Sequence, residues 1–417
     1  MKKLFAALAA LTLSVVLLAE DSNVPHFKLY GFVRNYFAYD SRISTAGTED
    51  LYYWMPKDIK MVGNTDVNNV STFRFAALTT RLGVDISGYE FSGYKIGGKI
   101  ESDFYAGITG VTGTAQLRLR QAYVTVAKNG RNWKIGQTWH PMAADLPDIF
   151  SLESGAPFGP FSRTPQVQFE WNFTPSLSLT AAALWQMQYT STGPEGASAN
   201  YIKYGCTPEL YLGLNYKQEK TTLRLGGDVL SIKPRLVSAK GLAADRITTW
   251  NVFLYGAGSI GDLNLKAKLT YANDGSHFNL IGGYGVTAID DETDNWTFAA
   301  TRNATGWATL SYKGLGNWVP SLFLGYSKLF GTPVDVLGDK KDDGSYMYRW
   351  VKNSADSVDY LFRVQPEIIY NLGKLQFGLE YMLTGANYGK QDARMHAVDR
   401  LHLVLNHRVQ MMVKLNF

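Results

Sequence analysis

Arg400-Leu401-His402-Leu403-Val404-Leu405-Asn406-His407-Arg408-Val409-Gln410-Met411-Met412-Val413-Lys414-Leu415-Asn416-Phe417 is the stretch from which the fold can be read. Leu401, Leu403, Leu405, Val409, Met411, Val413, Leu415 and Phe417 share one parity, and Arg400, His402, Asn406, Arg408, Gln410, Lys414 and Asn416 share the other. Successive side chains of an extended chain point to opposite faces, so this is a strand greasy on one side and ionic on the other. Working backwards, Leu375, Phe377, Leu379, Tyr381 and Leu383 oppose Lys374, Gln376, Gly378 and Glu380. Leu263, Leu265, Ala267, Leu269 and Tyr271 likewise oppose Asn264, Lys266, Lys268 and Thr270.

Soluble sandwiches alternate too, but their strands usually run about 5–6 residues and their loops are of mixed length. Here the segments run about ten residues, the length at which a tilted strand crosses a bilayer. Short turns near 88–92, 128–130, 174–175, 218–219, 260–261, 314–317 and 372–373 alternate with long polar connections near 40–71, 105–115, 140–164, 190–207, 234–245, 273–303, 331–357 and 385–399. Seven short and eight long connections join sixteen strands, with 279–288 placed inside the sixth long loop. In hydrocarbon every backbone polar group needs a partner, and a sheet meets that demand only by closing on itself. The predicted fold is therefore all-β, a 16-stranded antiparallel transmembrane β-barrel whose interior is wet. Trp133, Trp139, Trp171, Trp250 and Tyr271 at segment ends fit interfacial girdles.

Composition agrees and excludes other classes. Aromatics make up 13% of the chain, with 25 Tyr, and Gly numbers 40, a mixture suited to short strands and tight turns. Met1-Lys2-Lys3, the apolar run Leu4 to Leu18 and Ala19 read as a signal peptide over residues 1–19, leaving residues 20–417 as the barrel. No stretch of the remainder reaches about 18 consecutive apolar residues, so helical spans are not expected. The net charge of +5 falls to +3 without Lys2 and Lys3, too mild for a nucleic-acid partner. The single cysteine, Cys206, excludes an internal disulfide and reads as a loop bystander.

The connection 140–164 carries Pro, Gly, aromatics and the acids Asp145, Asp148 and Glu153. A loop of that length needs a reason, and narrowing a pore supplies one. Alternation puts Arg81, Arg118, Arg120 and Lys134 on the inward face, so a basic wall opposite an acidic loop is expected to form a transverse field. Inward bases outnumber inward acids, which leans towards anions. The histidines His26, His140, His277, His396, His402 and His407 show no catalytic or metal-ligand spacing, and no G-x-S-x-G occurs, so neither an enzyme nor a metal or cofactor site is expected.

The run Lys134-Ile135-Gly136-Gln137-Thr138-Trp139-His140-Pro141, the preceding Leu117-Arg118-Leu119-Arg120-Gln121-Ala122-Tyr123 and the later Gly155-Ala156-Pro157-Phe158-Gly159-Pro160-Phe161-Ser162-Arg163 resemble the porins of Bacteroidota and, more distantly, DcaP-like trimeric porins. The resemblance covers about fifty residues and implies a homotrimer in the outer membrane of a Gram-negative bacterium, with an inward-folded third extracellular loop. It implies passive diffusion of small hydrophilic solutes and ions, and it puts Arg118, Arg120 and Arg163 near the constriction. Gln121 and Gln137 fall on the outward parity and suit a subunit contact. Phe417 matches the terminal aromatic of barrels delivered by the outer-membrane barrel assembly machinery. A channel specific for small anionic metabolites, and a structural or adhesive surface barrel, are the other readings of the same pattern.

Overall fold

The computed structural model describes residues 24–48, 50–105, 115–337 and 357–417; the signal sequence read at 1–19 lies outside the described residues. Sixteen antiparallel strands form one closed sheet. They are β1 (His26–Asp40), β2 (in two pieces, Thr72–Ala76 and Arg81–Phe91), β3 (Tyr94–Tyr105), β4 (Gln116–Lys128), β5 (Arg131–Trp139), β6 (Arg163–Asn172), β7 (Leu177–Leu184) and β8 (Glu209–Gln218). The circuit continues with β9 (Thr221–Ile232), β10 (Ile247–Ile260), β11 (Leu263–Asn273), β12 (Arg302–Tyr312), β13 (Trp318–Leu329), β14 (Ser357–Leu372), β15 (Leu375–Gln391) and β16 (Ala397–Asn416). Each strand pairs with its chain neighbours, and β1 meets β16 from Phe32↔Asn416 to Asp40↔Arg408, which leaves no free edge. Among the described residues no helix is long and apolar enough to cross a membrane.

The two faces separate as the parity requires. Leu210, Leu212 and Leu214 of β8, Leu265 and Leu269 of β11, and Leu401, Leu403 and Leu405 of β16 are exposed outward. Arg224, Asn251, Lys268, Arg363, Glu380 and Arg408 occupy the alternate, inward positions. Leaving one Leu side chain in water forgoes about 1.5–3 kcal/mol, so an outer band built of dozens of such residues demands lipid. Trp133, Trp171 and Trp250 are exposed on this face, as the girdle reading expects.

Several boundaries differ from the sequence reading. Gly88 (φ +91) marks a register shift inside β2, where Ile86 and Tyr89 stop keeping step with β3, and the turn itself lies at Ser92 and Gly93. β15 runs on to Gln391, so the last long connection is shorter than 385–399. Residues 284–289 and 296–300 pair as a hairpin within the sixth long loop, and Cys206 is an exposed helix cap in the fourth.

Candidate functional site: an arginine-lined cavity inside the barrel

The wall made by β1 to β5 carries three local irregularities at one level. β2 breaks at 77–80, where Thr79 takes φ +72, and the Arg34 guanidinium of β1 donates two bonds to Thr79 Oγ1 (3.0 and 2.7 Å). β3 and β4 step from Glu101↔Gln121 to Ser102↔Leu119, which leaves Arg120 as the extra residue of a bulge. β5 answers with Gly136 (φ +131), where a Cβ would lie 2.2 Å from the Ala122 carbonyl. The Gln137 amide then donates to the carbonyls of Leu119 (3.0 Å) and Arg120 (3.3 Å), completing bonds that the bulge disrupts.

The bulge turns two successive side chains inward. Arg120 and Gln121 are both buried, and Gln121 bonds Glu101 (3.3 Å) and Thr138 (2.8 Å). The outward position expected for Gln121 is therefore corrected: an extra residue shifts the parity by one. Gln137 keeps its expected face.

Around the bulge a charged cluster faces a cavity of about 500 Å³. Arg118 grips Asp103 with both arms (Nε–Oδ1 and Nη2–Oδ2, each 2.9 Å), the fork geometry that suits a carboxylate. Arg120 bridges Glu101 and Asp103 at 2.8 Å each, and Arg81 stands 3.7 and 3.9 Å from the same two acids. Arg163 stacks over Trp139 (4.5 Å) and Phe161 (5.3 Å), and among the described residues no carboxylate lies within ion-pair distance of it. With Arg34 and Lys414 also lining the cavity, six cations face two carboxylates, a surplus of four. Tyr52 and Tyr189 line it too; burial raises both phenols, Tyr189 to about 12, so each stays a neutral hydroxyl. Trp139, expected in the outer girdle, lies against Arg163 inside because the chain leaves the sheet at this residue.

Lys134 lies apart from this cluster. It lines an adjoining cavity of about 600 Å³ together with Glu170 and Arg224, with its ammonium 5.2 Å from the Tyr123 ring. The two cavities share Gln121 and Trp139.

The connection 140–164 reaches strands far from its origin on β5. Asp145 accepts from Arg224 of β9 (2.7 Å) and lies 3.4 Å from Lys268 of β11. Asp148 pairs with Lys266 of β11 (2.5 Å), and Glu153 with Arg363 of β14 (3.0 Å), both partners of the latter pair having fully buried side chains. Tyr36 of β1 donates to the Phe150 carbonyl (2.7 Å), while the Phe150 amide donates to Glu367 (3.1 Å). Phe158 packs on Phe323 of β13, with ring centroids 6.1 Å apart. The three acids thus meet Arg224, Lys266, Lys268 and Arg363, and not the Arg81, Arg118 and Arg120 wall set opposite them by sequence alone. Arg34, Glu101 and Asp103 complete the cluster and were absent from the candidate set. Glu101 and Asp103 carry the inward parity in the sequence, but cross-strand pairing alone shows that they clamp the arginines.

A closed sixteen-stranded sheet, apolar outside and ionic inside, is the architecture of outer-membrane porins. Solved structures similar to this chain include the outer membrane channel DcaP of Acinetobacter baumannii, with a TM-score of 0.66 and 22% identity over 96% of this chain and 99% of that one. An anion-selective porin from Comamonas acidovorans superposes with a TM-score of 0.55 at 13% identity, covering 94% of this chain and 100% of the other. The trimer form of OmpT, an outer membrane protein of Vibrio cholerae, gives 0.54 at 11%, covering 94% and 99%. At these identities the likeness is one of fold. No protein-family model matches the chain, and no curated protein matches it in sequence.

Proposed function

We propose that the chain is an outer-membrane porin, a passive water-filled channel that admits small hydrophilic solutes and favours anions. The observation that carries this reading is the surplus of guanidinium groups around the cavity, held in place by Glu101 and Asp103. A fixed positive charge beside water raises the local anion concentration and excludes cations. The connection 140–164 is the constriction: its partners on β1, β9, β11 and β14 lie on the inward face, so the loop crosses the lumen and narrows it. The solved likenesses include an anion-selective porin and a trimer, which supports anion preference and a homotrimer here. Export by a cleaved signal peptide at 1–19 and insertion by the outer-membrane barrel assembly machinery complete the proposal, as does the Bacteroidota-type ancestry drawn from the 117–163 motifs.

Purified chain reconstituted in a planar bilayer under a potassium chloride gradient tests it. Stepwise conductance with a reversal potential on the chloride side is expected. Saturable block by one class of small anionic metabolite would favour the specific-channel alternative, for which the ordered arginine cluster is the supporting feature. A cation-side potential removes the anion preference, and absence of conductance removes the channel.

A further inference from the structure

Away from the arginine cavity, three buried side chains from distant parts of the sequence converge. Glu209 opens β8, Asp228 lies on β9 beside it, and His277 sits in the one-turn helix Ser276–Phe278 of the sixth long loop. One nitrogen or oxygen from each lies within 4.8 Å of the others, and all three residues are at most 3% exposed. His277 Nε2 stands 3.7 Å from Glu209 Oε1 and 3.8 Å from Asp228 Oδ2, beyond hydrogen-bond length. Among the described residues, both ring nitrogens of His277, Glu209 Oε2 and Asp228 Oδ1 have no hydrogen-bond partner. Unpartnered polar atoms buried in one pocket cost about 1–3 kcal/mol each, and a bound cation would engage one imidazole nitrogen and the carboxylate oxygens.

We propose that Glu209, Asp228 and His277 form a divalent transition-metal site, of the zinc type, that fastens the sixth long loop to the barrel wall. Ligands about 2.1 Å from a tetrahedral zinc stand about 3.4 Å from one another, so the histidine-to-carboxylate spacings of 3.7 and 3.8 Å need to close by a few tenths of an ångström. Two carboxylates balance a 2+ ion, leaving the buried cluster neutral with a neutral imidazole; one nitrogen and two oxygens suit zinc and its first-row neighbours better than calcium. A surrounding shell is already built. The Met142 amide donates to His140 Nδ1 (3.0 Å), which leaves the proton on Nε2 to be given to Glu209 Oε1 (2.8 Å). Asn251 donates to Asp228 Oδ2 (3.0 Å). Such outer donors fix the orientation of ligating carboxylates. The site is independent of whether the barrel conducts.

The test uses the full-length chain purified in detergent, stripped with a chelator and dialysed against zinc chloride. One zinc per chain is expected, with thermal unfolding shifted upward by the metal. Cobalt substitution should give the visible absorption of a tetrahedral centre. His277→Gln and Asp228→Asn should each weaken zinc binding by about 100-fold while the barrel stays resistant to protease. Having two variants keeps the outcome readable if one misfolds. Zinc bound equally by wild type and both variants would locate it at other histidines and overturn the assignment. So would a chain that takes up no zinc at 100-fold molar excess.

Discussion

Replacing Arg363 by Met tests how the connection 140–164 is held against the barrel. The guanidinium donates to Glu153 (3.0 Å), to the carbonyls of Trp54 (3.0 Å) and Ala156 (3.3 Å), and to Thr384 (3.1 Å). It also lies 5.0 and 5.1 Å from the rings of Tyr53 and Phe158. Neither Arg363 nor Glu153 has any side-chain exposure, so truncating the arginine strands a carboxylate in a dry site, which costs about 3–5 kcal/mol. Methionine fills much of the volume and limits the cavity contribution. Glu153→Gln should cost far less, about 1–2 kcal/mol, because an amide oxygen still accepts from Arg363 and the arginine keeps its other acceptors. The double variant should then be more stable than Arg363→Met alone by about 1 kcal/mol, a coupling of about 2–3 kcal/mol that falls within the range found for contacting residues. Urea unfolding of the detergent-solubilised barrel, followed by tryptophan fluorescence, gives the cycle. Single-channel conductance of Arg363→Met should rise as the loop loosens from the wall. Wild-type stability and unchanged conductance in Arg363→Met would refute the anchoring argument.

Other consequences are checked more briefly. Arg163→Gln removes a cation without orphaning a partner acid, so the barrel should fold normally while its reversal potential moves towards the cation side in a salt gradient. Leu212→Lys on the outward face near the middle of β8 should destabilise the barrel by about 2–4 kcal/mol in bilayers, read by urea titration in vesicles. Barrels of this kind turn their long connections outward, so the exposed Cys206 in the fourth one should react with a membrane-impermeant maleimide on intact cells; labelling only after lysis would put the long connections on the inner side.

The strand count and the inward positions of Arg118, Arg120, Lys268 and Arg408 were legible because lipid enforces period two on every strand it touches. Parity fails where the backbone departs from a regular ladder. Gln121 was misplaced because Arg120 is an extra residue, and nothing in Leu119-Arg120-Gln121 announces a bulge without the register of β3 beside it. Gly88 reads as a turn for the same reason, since glycine serves bulges and turns alike. The partners of Asp145, Asp148 and Glu153 lie 79, 118 and 210 positions away, and only the closed barrel decides which bases meet them. Glu209, Asp228 and His277 have no motif spacing because three separate elements supply them.

The charge pattern inside the barrel divides into two devices with different physics. Asp145, Asp148 and Glu153 are each satisfied by a base on β9, β11 or β14, so their fields largely cancel at a distance and what remains is mechanical attachment. On the other wall, Glu101 and Asp103 sit among more guanidinium groups than they can neutralise, and they hold those groups in fixed positions. An unpaired arginine in water is mobile and screened within about 8 Å at physiological salt. Clamped by two buried acids or stacked on the Trp139 face, such charges keep fixed places beside the cavity. Under the proposed function, selectivity is assigned to β1–β5 with the start of β6, and pore width to the anchors of the connection 140–164. Mutations in one set should leave the property governed by the other nearly unchanged.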